Sequence, residues 1–279
     1  MQQVIEKLAA SDNTVAGDYM KDGLLVCGKC HTPKQTRQEM PSASGELQVR
    51  VLPITCKCVR DEEQQEQARN RKQQFDVHMN ELAAKYGVSD GTYREATFAL
   101  DDKRDAKLSS VCRRYVEKWD NMRENNMGIL FYGAVGTGKT FYASAIANAL
   151  LDRCVSATVT NFPRLLNILQ GERERQAYID HLQAYKLLVI DDLGVERDSA
   201  YAAEQIFGVI DARSRSKLPL IVTTNLSLEE MEKPPTMQFA RIYDRVLEMC
   251  PIRLRMTGES RRTGNAEMRR KIAKELLMG

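Results

Sequence analysis

Residues 127–140 read MGILFYGAVGTGKT, and the order of residue types in that stretch decides the fold. The apolar run from Met127 to Tyr132 has the length of a buried strand. Directly after it, Gly133-Ala134-Val135-Gly136-Thr137-Gly138-Lys139-Thr140 is a complete G-x-x-x-x-G-K-[ST] pattern. The apolar segment FYASAIANALL follows, and its helix is expected to open at Lys139. In such a loop Gly133, Gly136 and Gly138 let the backbone wrap, so that N–H groups up to and including Thr137 face phosphate oxygens. The helix adds its positive N-terminal end to that cradle. Lys139 supplies a point charge for the β and γ phosphates of ATP, and the Thr140 hydroxyl is a Mg²⁺ ligand.

Working outward, the strand-then-helix rhythm repeats. Apolar runs stand at 127–132, 155–160 (VSATVT), 187–191 (LLVID), 219–224 (PLIVTT) and 252–255 (IRLR), their starts 28 to 33 residues apart. Helix-like sequence fills most of the gaps. This predicts repeated βαβ units, an α/β fold with a five-stranded parallel sheet flanked by helices. The run KLLVIDDLG ends in two adjacent carboxylates. Asp191 would hold Mg²⁺, and Asp192 is placed to orient or deprotonate a water facing the γ-phosphate. One strand, VSATVT, intervenes in the chain between the P-loop strand and this one, as in ATPases that do mechanical work. A third polar group, Thr223-Thr224-Asn225, closes the next strand, and Asn225 is expected to bond the attacking water or the γ-phosphate.

The N-terminal part is of another kind. Of seven cysteines in 279 residues, Cys27, Cys30, Cys56 and Cys58 fall within 32 residues, whereas Cys112, Cys154 and Cys250 are scattered. Two close pairs supply four thiolates, which suit tetrahedral Zn²⁺ and can staple a domain too small for its own core. Free thiols and an Fe–S site are the other readings, and His31 is a substitute ligand. The three scattered cysteines read as small buried residues. Residues 60–86 are rich in strong helix formers, with Phe75, His78, Met79 and Leu82 at helical spacing. A second helix is expected around Asp102 to Asn121, docking on Leu108, Val111, Cys112, Tyr115, Val116 and Trp119.

The formal charge of +3 excludes a uniformly basic nucleic-acid coat, and 43% hydrophobic residues exclude wholesale disorder. That charge averages unequal regions. Residues 21–60 hold seven Lys/Arg against three Asp/Glu, and residues 241–279 hold ten against five. The first suits nucleic acid or an acidic partner, and the two together leave a nucleic-acid partner open. No run approaches the ~18 apolar residues of a membrane span, and the polar N-terminus lacks a signal core, so a cytoplasmic protein is expected.

The blocks GxxGTGKT, LLVIDDLG, EQIF…LIVTTNLS, RIYDRVLEM and GESRR, in that order, resemble the DnaC/DnaI-type bacterial replicative helicase loaders. These are AAA+ ATPases, and the IstB-type transposition helpers are similar over the same region, roughly residues 95 to 265. The resemblance implies an AAA+ P-loop fold and ATP hydrolysis. It also implies a hexameric replicative helicase and single-stranded DNA as partners, and an N-terminal region that docks the helicase. It gives Arg245 as an arginine finger reaching a neighbouring subunit, with Arg241 as second choice. That role needs self-assembly or a mixed assembly with the helicase. Arg261 resembles the arginine that touches phosphate in its own subunit. In the segment NFPRLLNILQGERERQAYIDHLQAY, two helices broken near Gly171 resemble an insertion facing DNA, where Arg164, Arg173 and Arg175 meet phosphates although Glu172 and Glu174 interleave. Most AAA+ proteins carry Asp-Glu where this chain has Asp191-Asp192. The shorter side chain implies a loosely held water and slow hydrolysis, which suits a switch. The expected layout is a zinc module over 1–60, a helical linker over 61–94, the ATPase domain over 95–265 and a basic helix over 266–279.

Overall fold

Two small antiparallel hairpins open the described chain, which in this computed structural model comprises residues 17–42, 45–86, 91–170, 175–194 and 200–278. Strand β1 (Tyr19–Lys21) pairs with β2 (Leu24–Val26), and β3 (Gln35–Pro41) with β4 (Leu47–Pro53). Hairpins this short bury little. Among the described residues up to Asp76, only Val26, Cys27 and Cys56 are buried apolar positions, while Leu47, Val49 and Val51 of β4 stay exposed. Helix α1 (Lys57–Tyr86) follows, 30 residues long and polar around its circumference. The stripe expected on it is faint: Phe75 and Met79 are half-buried and His78 is exposed, and the Leu82 side chain lies outside the described residues. The chain folds as two units, residues 1–76 and 77–279, divided inside α1.

After the end of α1, the second unit continues with α2 (Gly91–Arg94), a 3-10 turn (Phe98–Leu100), α3 (Ala106–Glu117) and α4 (Trp119–Glu124). The single helix expected over Asp102 to Asn121 is therefore two, parted at Lys118. Its start is fixed by Asp105, whose carboxylate accepts from the Leu108 N–H at 2.9 Å. Leu108, Cys112, Tyr115, Val116 and Trp119 are buried as the spacing predicts, whereas Val111 is 37% exposed.

All five apolar runs form strands: β5 (Ile129–Gly133), β6 (Ala157–Asn161), β7 (Leu187–Leu193), β8 (Leu220–Thr224) and β9 (Ile252–Met256). Between them lie α5 (Lys139–Asp152), α6 (Phe162–Leu169), α7 (Arg175–Gln183), α8 (Ala200–Arg215), α9 (Leu228–Glu232) and α10 (Met237–Met249); α11 (Arg261–Met278) closes the chain. The break near Gly171, with Glu172, Arg173 and Glu174, lies outside the described residues. The C-terminal helix starts at Arg261, five residues before the expected position. The sheet is wholly parallel in the order β6-β7-β8-β5-β9. In space it is thus β8 that separates the P-loop strand from β7, and VSATVT supplies the edge strand.

The central strands are apolar at nearly every position because both faces are covered. Ile129, Phe131, Leu187, Val189 and Ile221 face one way, onto α3 and α5. Leu130, Leu188, Ile190, Leu220 and Val222 face the other, onto α6, α7, α8 and α10. This three-layer core aligns the C-terminal ends of β5, β7 and β8 along one edge. The opposite edge is tied by Arg213, a fully buried guanidinium. It donates to the carbonyls of Tyr185 (2.8 Å), Lys186 (3.0 Å), Pro219 (2.8 Å) and Leu182 (3.4 Å). Among the described residues no helix is long and apolar enough to cross a membrane.

Candidate nucleotide site and candidate metal centre

The loop after β5 turns as its glycines require. Gly136 and Gly138 have φ of 82° and 101°, and a Cβ on Gly136 would lie 2.1 Å from the Ser260 hydroxyl. At Gly138 a Cβ would meet the Arg261 guanidinium at 3.1 Å. The glycines thus admit both the left-handed turns and the close approach of residues 260–261. Lys139 is 5% exposed, and its ammonium donates to the Gly133 and Ala134 carbonyls, each at 2.8 Å. Thr137 Oγ1 closes the loop by donating to Ala134 O at 2.8 Å.

β7 brings its first carboxylate to the same place. Thr140 Oγ1 donates to Asp191 at 2.9 Å (Oδ1) and 3.1 Å (Oδ2). Asp191 is 4% exposed. Burial pushes its carboxyl above the ordinary carboxylate range, opposed by the Thr223 and Thr140 hydrogen bonds and the Lys139 charge. A hydroxyl and a carboxylate converging beside a buried lysine fit a hard cation bound together with phosphates. The neighbour Asp192 departs from regular strand geometry: its φ is +60°, and the β7–β8 register shifts between Ile190 and Leu193. Asp tolerates this left-handed region better than most side chains. Asn225 is exposed at the end of β8, on an open cavity of about 400 Å³ shared with Gly133, Ala134 and Arg255.

Of the three arginines given roles at a nucleotide site, Arg261 lies against this loop. The Arg261 N–H donates to Gly136 O at 2.9 Å, and its guanidinium lies 5.5 Å over the Tyr142 ring and 3.2 Å from Asp102. Arg245 pairs instead with Glu248 at 2.8 Å and lies 3.7 Å from Asp211, neither of which belongs to the loop. Arg241 stacks over Phe207 at 4.9 Å. The Arg175 guanidinium donates to Leu169 O and Tyr201 OH, binding α6 and α8 together, and Arg164 is half-buried. The spacing of the sequence did not single out Thr223 or Asp102, whose roles arise only once β8 and the start of α3 are brought against the loop.

In the N-terminal unit, the sulfurs of Cys27, Cys30, Cys56 and Cys58 all lie within 4.8 Å of one another. Cys58 is 3.6 Å from Cys27 and 3.4 Å from Cys56. Tetrahedral Zn–S bonds of about 2.3 Å put sulfurs just under about 4 Å apart, so the four fit a closed zinc centre. Backbone N–H groups of Cys30 and Lys29 hold the Cys27 thiol below its usual value, and the Thr32 hydroxyl lowers Cys30 to about 5. Lys34 and Asp18 form a 2.6 Å ion pair beside the cluster, both side chains under 5% exposed. His31 is outside the group; its Nδ1 lies 3.3 Å from Tyr19 OH. Of the scattered cysteines, Cys112 and Cys250 are buried, but Cys154 is only half-buried, in a left-handed turn with φ 57°.

The chain is similar to several known proteins. A protein of Escherichia coli (strain K12) named replicative helicase loader DnaC is 37% identical over 130 residues, which are 44% of this chain and 51% of that protein. The replicative helicase loader DnaI of Bacillus subtilis (strain 168) is 30% identical over 183 residues, 60% of this chain and 58% of DnaI. The chain thus spans little more than half the length of the curated relatives it matches. The crystal structure of DnaI has the same fold, with a TM-score of 0.53 at 24% identity over 62% of this chain and 94% of that one. A model of the IstB-like ATP binding protein family matches residues 54–268, well over half of the chain, and the chain belongs to that family.

Proposed function

We propose that this protein is an ATP-dependent loader of a hexameric replicative helicase onto single-stranded DNA, with ATP binding and hydrolysis as a switch in replication initiation. The observation that carries this reading is the convergence of Lys139, Thr140 and Asp191 with Arg261 folded back onto the loop. The names of the relatives supply the partner.

In this reading the N–H groups of residues 133–140 and the Lys139 ammonium bind the phosphates, and Thr140 and Asp191 hold Mg²⁺. When bound, Mg²⁺ neutralises β- and γ-phosphate oxygens. Asp192 and Asn225 orient the attacking water, and Asp192 takes its proton. Arg261 exchanges the Asp102 carboxylate for phosphate within its own subunit. Arg245, 40% exposed on α10, reaches the site of a neighbour in a self-assembly or a mixed assembly with the helicase. The four cysteines bind Zn²⁺ and stabilise the module that docks the helicase.

The test is capture of a hexameric replicative helicase by the full-length chain with ATP, with and without single-stranded DNA. ATP-dependent capture that disappears in Lys139→Ala supports the reading. The family match also favours a transposition helper, so DNA-dependent self-assembly with no helicase capture would replace the loader by that reading. Arg245→Ala is expected to leave ATP affinity unchanged and to lower assembly-dependent turnover by about 10³. Unaltered turnover in the assembled complex removes the finger role.

A further inference from the structure

Thr223 is fully buried at the end of β8, between the two acidic residues of β7. Its hydroxyl does two things at once. It donates to Asp191 Oδ1 at 2.5 Å and accepts the Asp192 N–H at 2.9 Å. A hydroxyl has one proton to give and lone pairs to receive, so both bonds form together. They are made at the bulge, where Asp191 and Asp192 face the single residue Thr223 across the ladder. The left-handed backbone of Asp192, φ +60°, is unfavourable for a residue with a Cβ and persists only when its surroundings impose it. The amide bond to Thr223 is such an imposition, and Thr224 Oγ1 adds a second by donating to Leu193 O at 2.7 Å.

We propose that Thr223 is a positioning residue of the nucleotide site, its hydroxyl locking the Asp191 carboxylate to the Asp192 amide and so fixing the bulge that aims Asp192. The inference rests on the reading of this site as one for Mg²⁺-ATP and adds a residue to it. Asp191 Oδ1 takes bonds from both Thr223 and Thr140, so its orientation is set from two elements at once. Burial sharpens the effect, since a hydrogen bond inside the protein holds direction without competition from water. Loss of the hydroxyl frees the carboxylate and the amide together, and the two acidic groups lose their common reference.

The test compares Thr223→Val, which keeps the shape and removes the hydroxyl, with Thr223→Ser, which keeps the hydroxyl, in the full-length chain. Affinity for a fluorescent ATP analogue is measured with Mg²⁺ and again with EDTA, and steady-state kcat and KM are measured alongside. Thr223→Val is expected to bind as the wild type does in EDTA and to lose about tenfold of the affinity gained with Mg²⁺. Its kcat is expected to fall about tenfold or more, and its KM for Mg²⁺-ATP to rise in step with the weakened affinity. Thr223→Ser restores both properties. Should Thr223→Val melt early, Thr223→Ala is measured at a temperature where its melting curve shows it folded. A wild-type Mg²⁺ response and kcat in the hydroxyl-free variant overturns the role of Thr223 alone. A wild-type chain that binds no nucleotide, or a Lys139→Ala chain that binds it equally well, overturns the site reading and this role together.

Discussion

The two units of this chain solve the stability problem in opposite ways. Residues 77–279 hide two continuous clusters of side chains on either face of a sheet, Leu188 and Ile190 on one side and Leu187 and Val189 on the other. The described residues of the first 76 bury only Val26 and two cysteines among their apolar side chains, and place four sulfurs together. Packing holds the larger unit. Where two short hairpins provide almost none, the chain gathers four sulfurs at a spacing that fits a metal ion. The buried polar groups differ accordingly. In the larger unit Arg213 is satisfied by carbonyls, whereas in the smaller one Lys34 sits with Asp18 beside the cysteine cluster.

The contrast can be broken in several ways, of which metal removal is the strongest. Structural Zn²⁺ contributes about 10–16 kcal/mol in small modules. Chelation, or Cys56→Ser, is therefore expected to unfold residues 17–53 and leave the ATP-binding unit intact. Limited proteolysis with intact mass spectrometry before and after chelation checks this. Equal protection of both units after complete metal loss would show that the hairpins stand without the ion. Next in size, Leu188→Ala should destabilise the larger unit by about 2–5 kcal/mol through the cavity it leaves. The bound zinc content should stay unchanged, so a melting curve and a metal assay on one sample suffice. Loss of metal in that variant would mean that the units are not energetically separate. The smallest effect is expected from Lys34→Met, which removes a cation next to Cys27 and Cys56. By the usual weight of groups supporting metal ligands, zinc affinity should fall about 10- to 100-fold. A competition titration against a chromogenic chelator reads that change, and an unchanged affinity would make the ion pair purely a packing feature.

Much of the larger unit could be read from the sequence because its signals are local. The G-x-x-x-x-G-K-T loop, the five apolar runs and the acidic pair each occupy fewer than ten consecutive residues. Features that depend on what lies across the sheet stayed hidden. The bulge that opposes Asp191 and Asp192 to Thr223 is a matter of register, and no periodicity in LLVIDDL announces it. Its consequence revises the account of Asp192. The shorter side chain is carried on a left-handed backbone, which the residue types alone do not announce. The break at Lys118 lies among helix formers, whereas α11 starts early by running through Thr263-Gly264-Asn265, residues whose propensity reads as a turn. Arg261 was assigned by resemblance, and the fold gives it a physical setting against Gly136, Gly138 and Tyr142.

The buried guanidinium of Arg213 has a consequence for how the molecule opens. Its carbonyl partners come from the end of α7, the entry to β7 and the entry to β8. Peeling away any one of these segments would leave a cation in an apolar interior short of part of its hydrogen bonding. Partial unfolding at that edge is therefore suppressed, and the segments there should exchange their amide protons only when the whole unit unfolds.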